Sequence, residues 1–289
     1  MLLQILGTAA GGGVPQWNCA CPGCAGARSH PERRRRHASA AIRAGDRWFV
    51  INATPDIADQ VEFCGTPAPG SRDTPLAGVI LTDAELDHTL GLARLREAAS
   101  VDVIATPAVT GALCDRLRLG DVLAPYTRLT WHELPEDRPV RLGGTVSVQA
   151  VRVSGKRPRY AADADPDGAW SVALVLADGD RTAVYAPCLA DWTPALDKVL
   201  TAADCIIVDG TFWDDDEPRR MGVSERTATQ MGHLPITWTA GPLSRLPARR
   251  KLYTHLNNTN PLVDPTAPAH ASLAALGIEV APDRTVIEL

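Results

Sequence analysis

The chain has 289 residues, 45% hydrophobic and 22% charged, and a formal net charge of −5. This length suits one large α/β domain or two small ones, and the mild acidity argues against nucleic acid as a main partner, which needs a concentrated basic surface. No stretch approaches the ~20 apolar residues of a membrane span, and MLLQILGTAAGGG carries no basic leader, so a cytoplasmic protein is expected.

In chain order, Leu2–Leu6, Ser39–Ile42 and Trp48–Ile51 read as strands, the last two joined by a tight turn at Ala44-Gly45-Asp46. Between them lies a basic run, Glu32 to His37 (ERRRRH), read as a solvated turn, with the rim of an anion-binding site as the alternative. Gly78–Leu81 is a buried-type strand, after which Leu92, Leu95 and Ala99 repeat at helical spacing. Val101–Ala105 resumes strand, and a helix is expected over Pro107–Leu117. Strands follow at Thr145–Val153, Ser171–Leu176 and Thr182–Tyr185. The segment Arg157–Asp167 (RPRYAADADPD) lacks apolar period and reads as a mobile surface loop. A helix near Pro194–Leu200, a strand at Cys205–Val208, a helix around Ser224–Met231 and a strand at Lys251–Thr254 complete the pattern. With no linker or repeat, one domain of mixed β and α layers over residues 1–289 is the economical reading.

Chemistry concentrates in a few places. Cys19, Cys21 and Cys24, in WNCACPGC, can present three sulfurs to one tetrahedral ion. A disulfide within C-x-C would be strained, so structural zinc is preferred to a redox pair. Seven cysteines, an odd number without a secretion signal, also disfavour a disulfide framework. Cys64, Cys114, Cys188 and Cys205 are scattered and read as core. In LTDAELDH, Asp83, Glu85, Asp87 and His88 crowd a strand-to-helix junction, where Asp87 is either a metal ligand or a helix cap. In YTHLNNTNP, His255 stands at a strand tip, as a ligand or a structural histidine. Asp87, His88 and His255 together would form a two-histidine, one-carboxylate set of the kind that suits non-haem Fe(II). Asp209 ends a strand, and the acidic cluster Asp214 to Glu217 reads as a solvated loop. His233, in MGHLPI, is a candidate pocket residue.

A strand leading to a D-H loop, a helix and a late strand-tip histidine resemble the metallo-β-lactamase superfamily, whose usual loop is H-x-H-x-D-H. Here Asp83 and Glu85 replace the first two histidines. Within it, ILGTAAGGGVPQWNCACPGC, RWFVINATPDIADQ, LTDAELDHTLGLARLRE, DCIIVDGTFWDDDE, MGHLPI and HLNNTNP are similar, in order, to signatures of the family that serves pyrroloquinoline quinone (PQQ) biosynthesis as its B protein.

The resemblance implies an αββα sandwich with the metal loops at one edge of the two sheets. It implies a hydroxylase dependent on Fe(II) and O2, acting on the tyrosine ring of a PqqA-derived peptide or diglutamyl-tyrosine intermediate. In that reading Asp87, His88 and His255 hold iron, and Asp83 and Glu85 support water or substrate beside it. Lys156 and Arg157 pair with substrate carboxylates. Other family descriptions imply a transport role, carrying the quinone or its precursor toward the periplasm. A third option is a two-metal hydrolase like the cyclic phosphodiesterases that share C-x-C-x-x-C.

Four departures bear on these options. Glu85 stands where the family commonly has glutamine, and Ser154 where hydrolytic members have histidine. Pro187 and Cys188 fall where a bridging carboxylate is usual, and Asn258 where relatives supply a histidine to zinc. A single-metal site is therefore expected, with hydrolysis disfavoured. The sequence leaves the oligomeric state open, a homodimer among the options.

Overall fold

Strands buried on both faces must be apolar at every position, whereas a half-solvated strand alternates. The run CIIVD at 205–209 is of the first kind, and the two faces of its strand pack against different layers. A computed structural model describes all residues 1–289. It contains β1 (Leu2–Gly7), β2 (Ser39–Ala44), β3 (Arg47–Ile51), β4 (Leu76–Ile80), β5 (Ser100–Ala105) and β6 (Arg128–Glu133). These are followed by β7 (Val140–Gly143), β8 (Val146–Ser154), β9 (Ser171–Asp178), β10 (Arg181–Ala186), β11 (Cys205–Asp209), β12 (Arg250–Thr254), β13 (Glu279–Val280) and β14 (Val286–Glu288).

They form two mixed seven-stranded sheets, ordered β14-β1-β2-β3-β4-β5-β6 and β13-β12-β11-β10-β9-β8-β7. The fold is α/β, two mixed sheets flanked by helices, as the metallo-β-lactamase resemblance implies. Ile5, Ile51, Leu174, Tyr185 and Ile207 pack between the sheets. Val50, Val79 and Val103 face outward from the first sheet onto Ile57, Val109 and Leu113. Ile206 and Val208 face outward from the second onto Leu196 and Leu200 of the helix Pro194–Ala202, and onto Ile236 and Leu243 of the helix Ile236–Arg245.

Parallel pairing sets where the loops gather. β3, β4 and β5 run parallel, as do β10, β11 and β12, so each set delivers its C-terminal ends to one edge. The two sheets are tied there: the amide of Val172 donates to the carbonyl of Thr82 at 2.9 Å.

Several expectations need correction. Arg157–Asp167 is not a free loop. Ala161 is buried within a short 3-10 turn, the Trp170 indole donates to the carbonyl of Asp165, and Arg152 reaches the carbonyl of Asp167. The helix expected around Ser224–Met231 is only a 3-10 turn at Thr229–Met231, because the Asp215 side chain and carbonyl take the amides of Thr229 and Ala228. The basic run is not wholly solvated: Arg35 donates to Thr8 and to the carbonyl of Ala281, and Arg36 lies over the Phe63 ring. Pro107–Gly111 is a short α-helix that widens into a π-turn at Ala112–Arg116.

The acidic cluster is also more than a solvated loop, since Glu217 is 1% exposed. Its carboxylate accepts from the Trp213 amide and the Thr259 hydroxyl, both at 2.6 Å, tying this segment to the turn after β12. Burial pushes the carboxyl up to about 7, against the pull of those donors. A carboxyl that titrates higher when folded contributes stability that is complete below its unfolded value and is lost as pH rises toward 7. Glu217→Gln keeps an acceptor for Trp213 and removes the titration. Between about pH 5 and pH 8 it is expected to gain on the unaltered protein by about 2–3 kcal/mol, read by urea unfolding. Parallel pH profiles for the two proteins would contradict this.

Candidate metal centre

The edge where the sheets meet collects side chains from four strand ends. After β4, the loop at 81–85 leads into a single helical turn, Leu86–Thr89, that carries Asp87 and His88. Asp87 sits in the first turn of this helix and makes no capping bond. After β12, His255 takes φ +59°, a left-handed conformation unusual for a residue with a side chain and often found at functional sites. Two hydrogen bonds hold that turn: Leu256 donates to the carbonyl of Thr8, and Ala10 donates to the carbonyl of Leu256.

The two imidazoles are oriented by separate buried networks. Asp83, 3% exposed, accepts from Nδ1 of His88 at 2.8 and 2.9 Å. Asp83 is itself held by the Thr82 hydroxyl, which accepts from the amide of Asn52. On the other side, Nδ1 of His255 donates to the Thr211 hydroxyl at 2.7 Å, and Thr211 donates to Asp209 at 2.5 Å. A carboxylate can only accept, so each network places the proton on Nδ1 and turns Nε2 toward the space between the strand ends.

Both Nε2 atoms lie 3.7 Å from Oδ2 of Asp87. Two ligands of one ion, each bonded at about 2.0–2.2 Å, cannot be farther apart than roughly 4.4 Å, and these two distances meet that bound. Nε2 of His88 is also fully buried with no hydrogen-bond partner, an arrangement that costs about 1–3 kcal/mol unless something outside the chain fills it. The electrostatics agree. Burial opposes charge on His88, but Asp83 and Asp87 override it and raise the imidazole to about 9. Burial likewise opposes ionisation of Asp87, yet the neighbouring imidazoles hold its carboxyl far below the usual range. Burial keeps His255 below its ordinary value, leaving its Nε2 lone pair free. The residues fit a divalent cation.

Of the other anticipated residues, Asp83 faces His88 rather than the centre. Glu85 lines the adjoining cavity and lies 3.7 Å from Nζ of Lys156. His233 lines it too, stacked on His255 with ring centroids 5.6 Å apart and its Nδ1 held 2.7 Å from Asp209. Lys156, Arg157, Arg159 and Arg226 supply cationic lining to this cavity of about 830 Å³.

Two features escaped the sequence reading. Asp209 is a hub that holds Thr211, His233 and the amide of Leu189. Cys188 is not core: its Sγ lies 4.0 Å from Nε2 of His255. Burial, followed by the carboxylates of Asp83 and Asp209, raises that thiol well above its ordinary value.

The three clustered cysteines also converge, their sulfurs within 4.8 Å of one another. The expected Pro22-Gly23 turn is in fact the start of a helix, Pro22–Ser29, with Cys21 at its cap. A side chain on Gly23 would meet the carbonyl of Asn258 at 2.2 Å, so only glycine allows this approach. The Asn258 side-chain amide donates to the sulfurs of Cys19 and Cys21 at 3.1 and 3.2 Å. Burial opposes ionisation of Cys21, but the Cys24 and Asn258 donors outweigh it and lower the thiol. Burial and the two neighbouring sulfurs push Cys24 up to about 11, so a cation is needed to hold all three as thiolates.

Residues 47–256 match the beta-lactamase superfamily domain. With both chains covered completely, the protein is 39% identical to the coenzyme PQQ synthesis protein B of Azoarcus sp. strain BH72. It is 36% identical, again with full coverage, to that of Methylococcus capsulatus. Among solved structures, the zinc-bound PqqB of Methylobacterium extorquens superimposes with a TM-score of 0.91 at 33% identity, 100% of each chain being covered. A diphosphatase of the PhnP family shares the fold, with a TM-score of 0.72 at 19% identity over 100% of this chain and 97% of its own.

Two separable sites predict a metal count of two per chain. His88→Ala and His255→Ala should each lower it to one, and Cys21→Ser should remove the other ion together with several kcal/mol of folding stability, since a closed thiolate site contributes directly to folding. Asp83→Asn should keep both ions but weaken the second on the order of 10–100-fold. Metal analysis after dialysis and competition with a chelator measure these values; a count of two in His255→Ala would contradict the assignment.

Proposed function

The chain belongs to the coenzyme PQQ synthesis protein B family within the beta-lactamase superfamily, and on that premise we propose that it is a non-haem iron hydroxylase of PQQ biosynthesis. Its substrate in this reading is the tyrosine ring of a PqqA-derived glutamyl-tyrosine intermediate; O2 is the second substrate, and an external two-electron reductant takes its other oxygen atom to water. The observation that carries the proposal is the convergence of Asp87, His88 and His255 around the unpartnered Nε2 of His88. One carboxylate and two imidazoles suit ferrous iron and leave coordination positions for exogenous ligands. When bound, such an ion supplies the O2 activation that ring hydroxylation requires.

The remaining roles belong to the chain's own side chains. Nε2 of His233 is available to the cavity because Nδ1 is fixed on Asp209, so His233 can take the proton of a phenol hydroxyl. Phe212 and Tyr160 line the same cavity and offer apolar surface to an aromatic ring. Lys156, Arg157, Arg159 and Arg226 can pair with the glutamyl and tyrosyl carboxylates, and the guanidiniums favour bidentate binding. The cavity volume, about 830 Å³, accommodates a tripeptide-sized ligand. Structural zinc at Cys19, Cys21 and Cys24, a single domain and a cytoplasmic location belong to the same proposal. No helix of the chain is long and apolar enough to cross a membrane.

Anaerobic loading with Fe(II), followed by O2, a two-electron reductant such as ascorbate and a diglutamyl-tyrosine peptide, tests the proposal by product mass. Addition of oxygen to the ring is expected, and His255→Ala should give no product. Enzyme-like hydrolysis of a phosphodiester without ring oxidation would move the assignment to a hydrolase. Tight quinone binding with no turnover would move it to a carrier.

A further inference from the structure

We propose that Cys188 is a fourth protein ligand of the centre built from Asp87, His88 and His255, so that this chain offers its second metal a thiolate. The inference rests on the metal-centre reading above and deepens it. The position is enforced by the backbone. β10 ends at Ala186 beside the end of β11, and the amide of Leu189 donates to Asp209 at 2.7 Å. The same Asp209 carboxylate orients His255 through Thr211, so one group registers the 188–189 peptide and the imidazole against each other.

The distances then decide. A sulfur at about 2.3 Å and a nitrogen at about 2.0–2.1 Å from one ion are at most roughly 4.4 Å apart. Sγ of Cys188 is 4.0 Å from Nε2 of His255, inside that bound. One ligand atom from each of Cys188, His88 and His255 lies within 4.8 Å of the others, a few tenths of an ångström beyond that bound. A lone thiol would carry no weight, but Nε2 of His88, buried and without a partner, is an independent mark of a missing ligand at the same point. On coordination the S–H bond breaks, its proton leaves to solvent, and the sulfur lone pair forms the metal–sulfur bond. One thiolate and one carboxylate neutralise a divalent ion and shift preference toward softer metals. A fourth protein ligand would leave one coordination position fewer for exogenous ligands than the three-residue set does.

The test uses full-length protein whose Cys19, Cys21 and Cys24 site is first filled with zinc, then titrated anaerobically with Co(II). The expected result is one further equivalent of Co(II) and a near-ultraviolet sulfur-to-cobalt charge-transfer band. Cys188→Ser and Cys188→Ala should bind the ion without the band, and their preference for Cd(II) over Mn(II) should fall on the order of tenfold or more. His88→Ala, which keeps Cys188, should lose both the ion and the band. Binding of Co(II) by the unaltered protein without the band would overturn this inference and leave the three-ligand centre standing. The same band in the unaltered protein and both Cys188 variants would also overturn it, since cobalt would then sit on the other cysteines. Failure to bind a second ion at all would overturn the metal-centre reading as well.

Discussion

Two buried carboxylates aim two imidazoles at one point, and the candidate site depends on that constraint. Asp83 fixes Nδ1 of His88 directly, and Asp209 fixes Nδ1 of His255 through Thr211. Burying an ionised carboxylate is costly unless it is paired and hydrogen-bonded. Both acids nonetheless titrate below their usual range, because the neighbouring histidines outweigh desolvation. The pairs are possible because parallel strands from the two sheets end at the same edge, where each acid meets its own histidine network. Once Nδ1 is occupied on each ring, only Nε2 is left to act.

The cysteine cluster braces this arrangement from behind. The turn that carries Asn258 begins at His255, whose left-handed backbone must be held by its surroundings. Asn258 covers two sulfurs, its carbonyl meets Gly23, and Thr259 locks onto Glu217. An ion in the thiol cluster would thus stiffen the same turn that delivers His255. The two sites share no ligand, yet they share a segment of backbone.

Much of this was legible in the sequence, and the reasons are physical. Strands packed on both faces leave continuous apolar runs, so β4, β10 and β11 were plain. Histidine and aspartate side by side at a strand end advertise metal chemistry by residue type alone. Edge strands announce themselves less: β6 reads RLTWHE, half-exposed and mixed in polarity, and went unseen. The helix Ile236–Arg245 was hidden by an internal proline. Asp209 looked like any acidic strand end, because its three partners are scattered along the chain. Cys188 looked like one more dispersed cysteine. Only the register between β10 and β11 sets it beside His255.

The clamped imidazoles and Asp87 are proposed to form one metal centre. A crystal of anaerobically iron-loaded protein, measured at the iron absorption edge, tests this most directly. A single anomalous peak is expected about 2.0–2.2 Å from Nε2 of His88, Nε2 of His255 and a carboxylate oxygen of Asp87. A peak elsewhere, or none at that point when the iron is retained in solution, would contradict it.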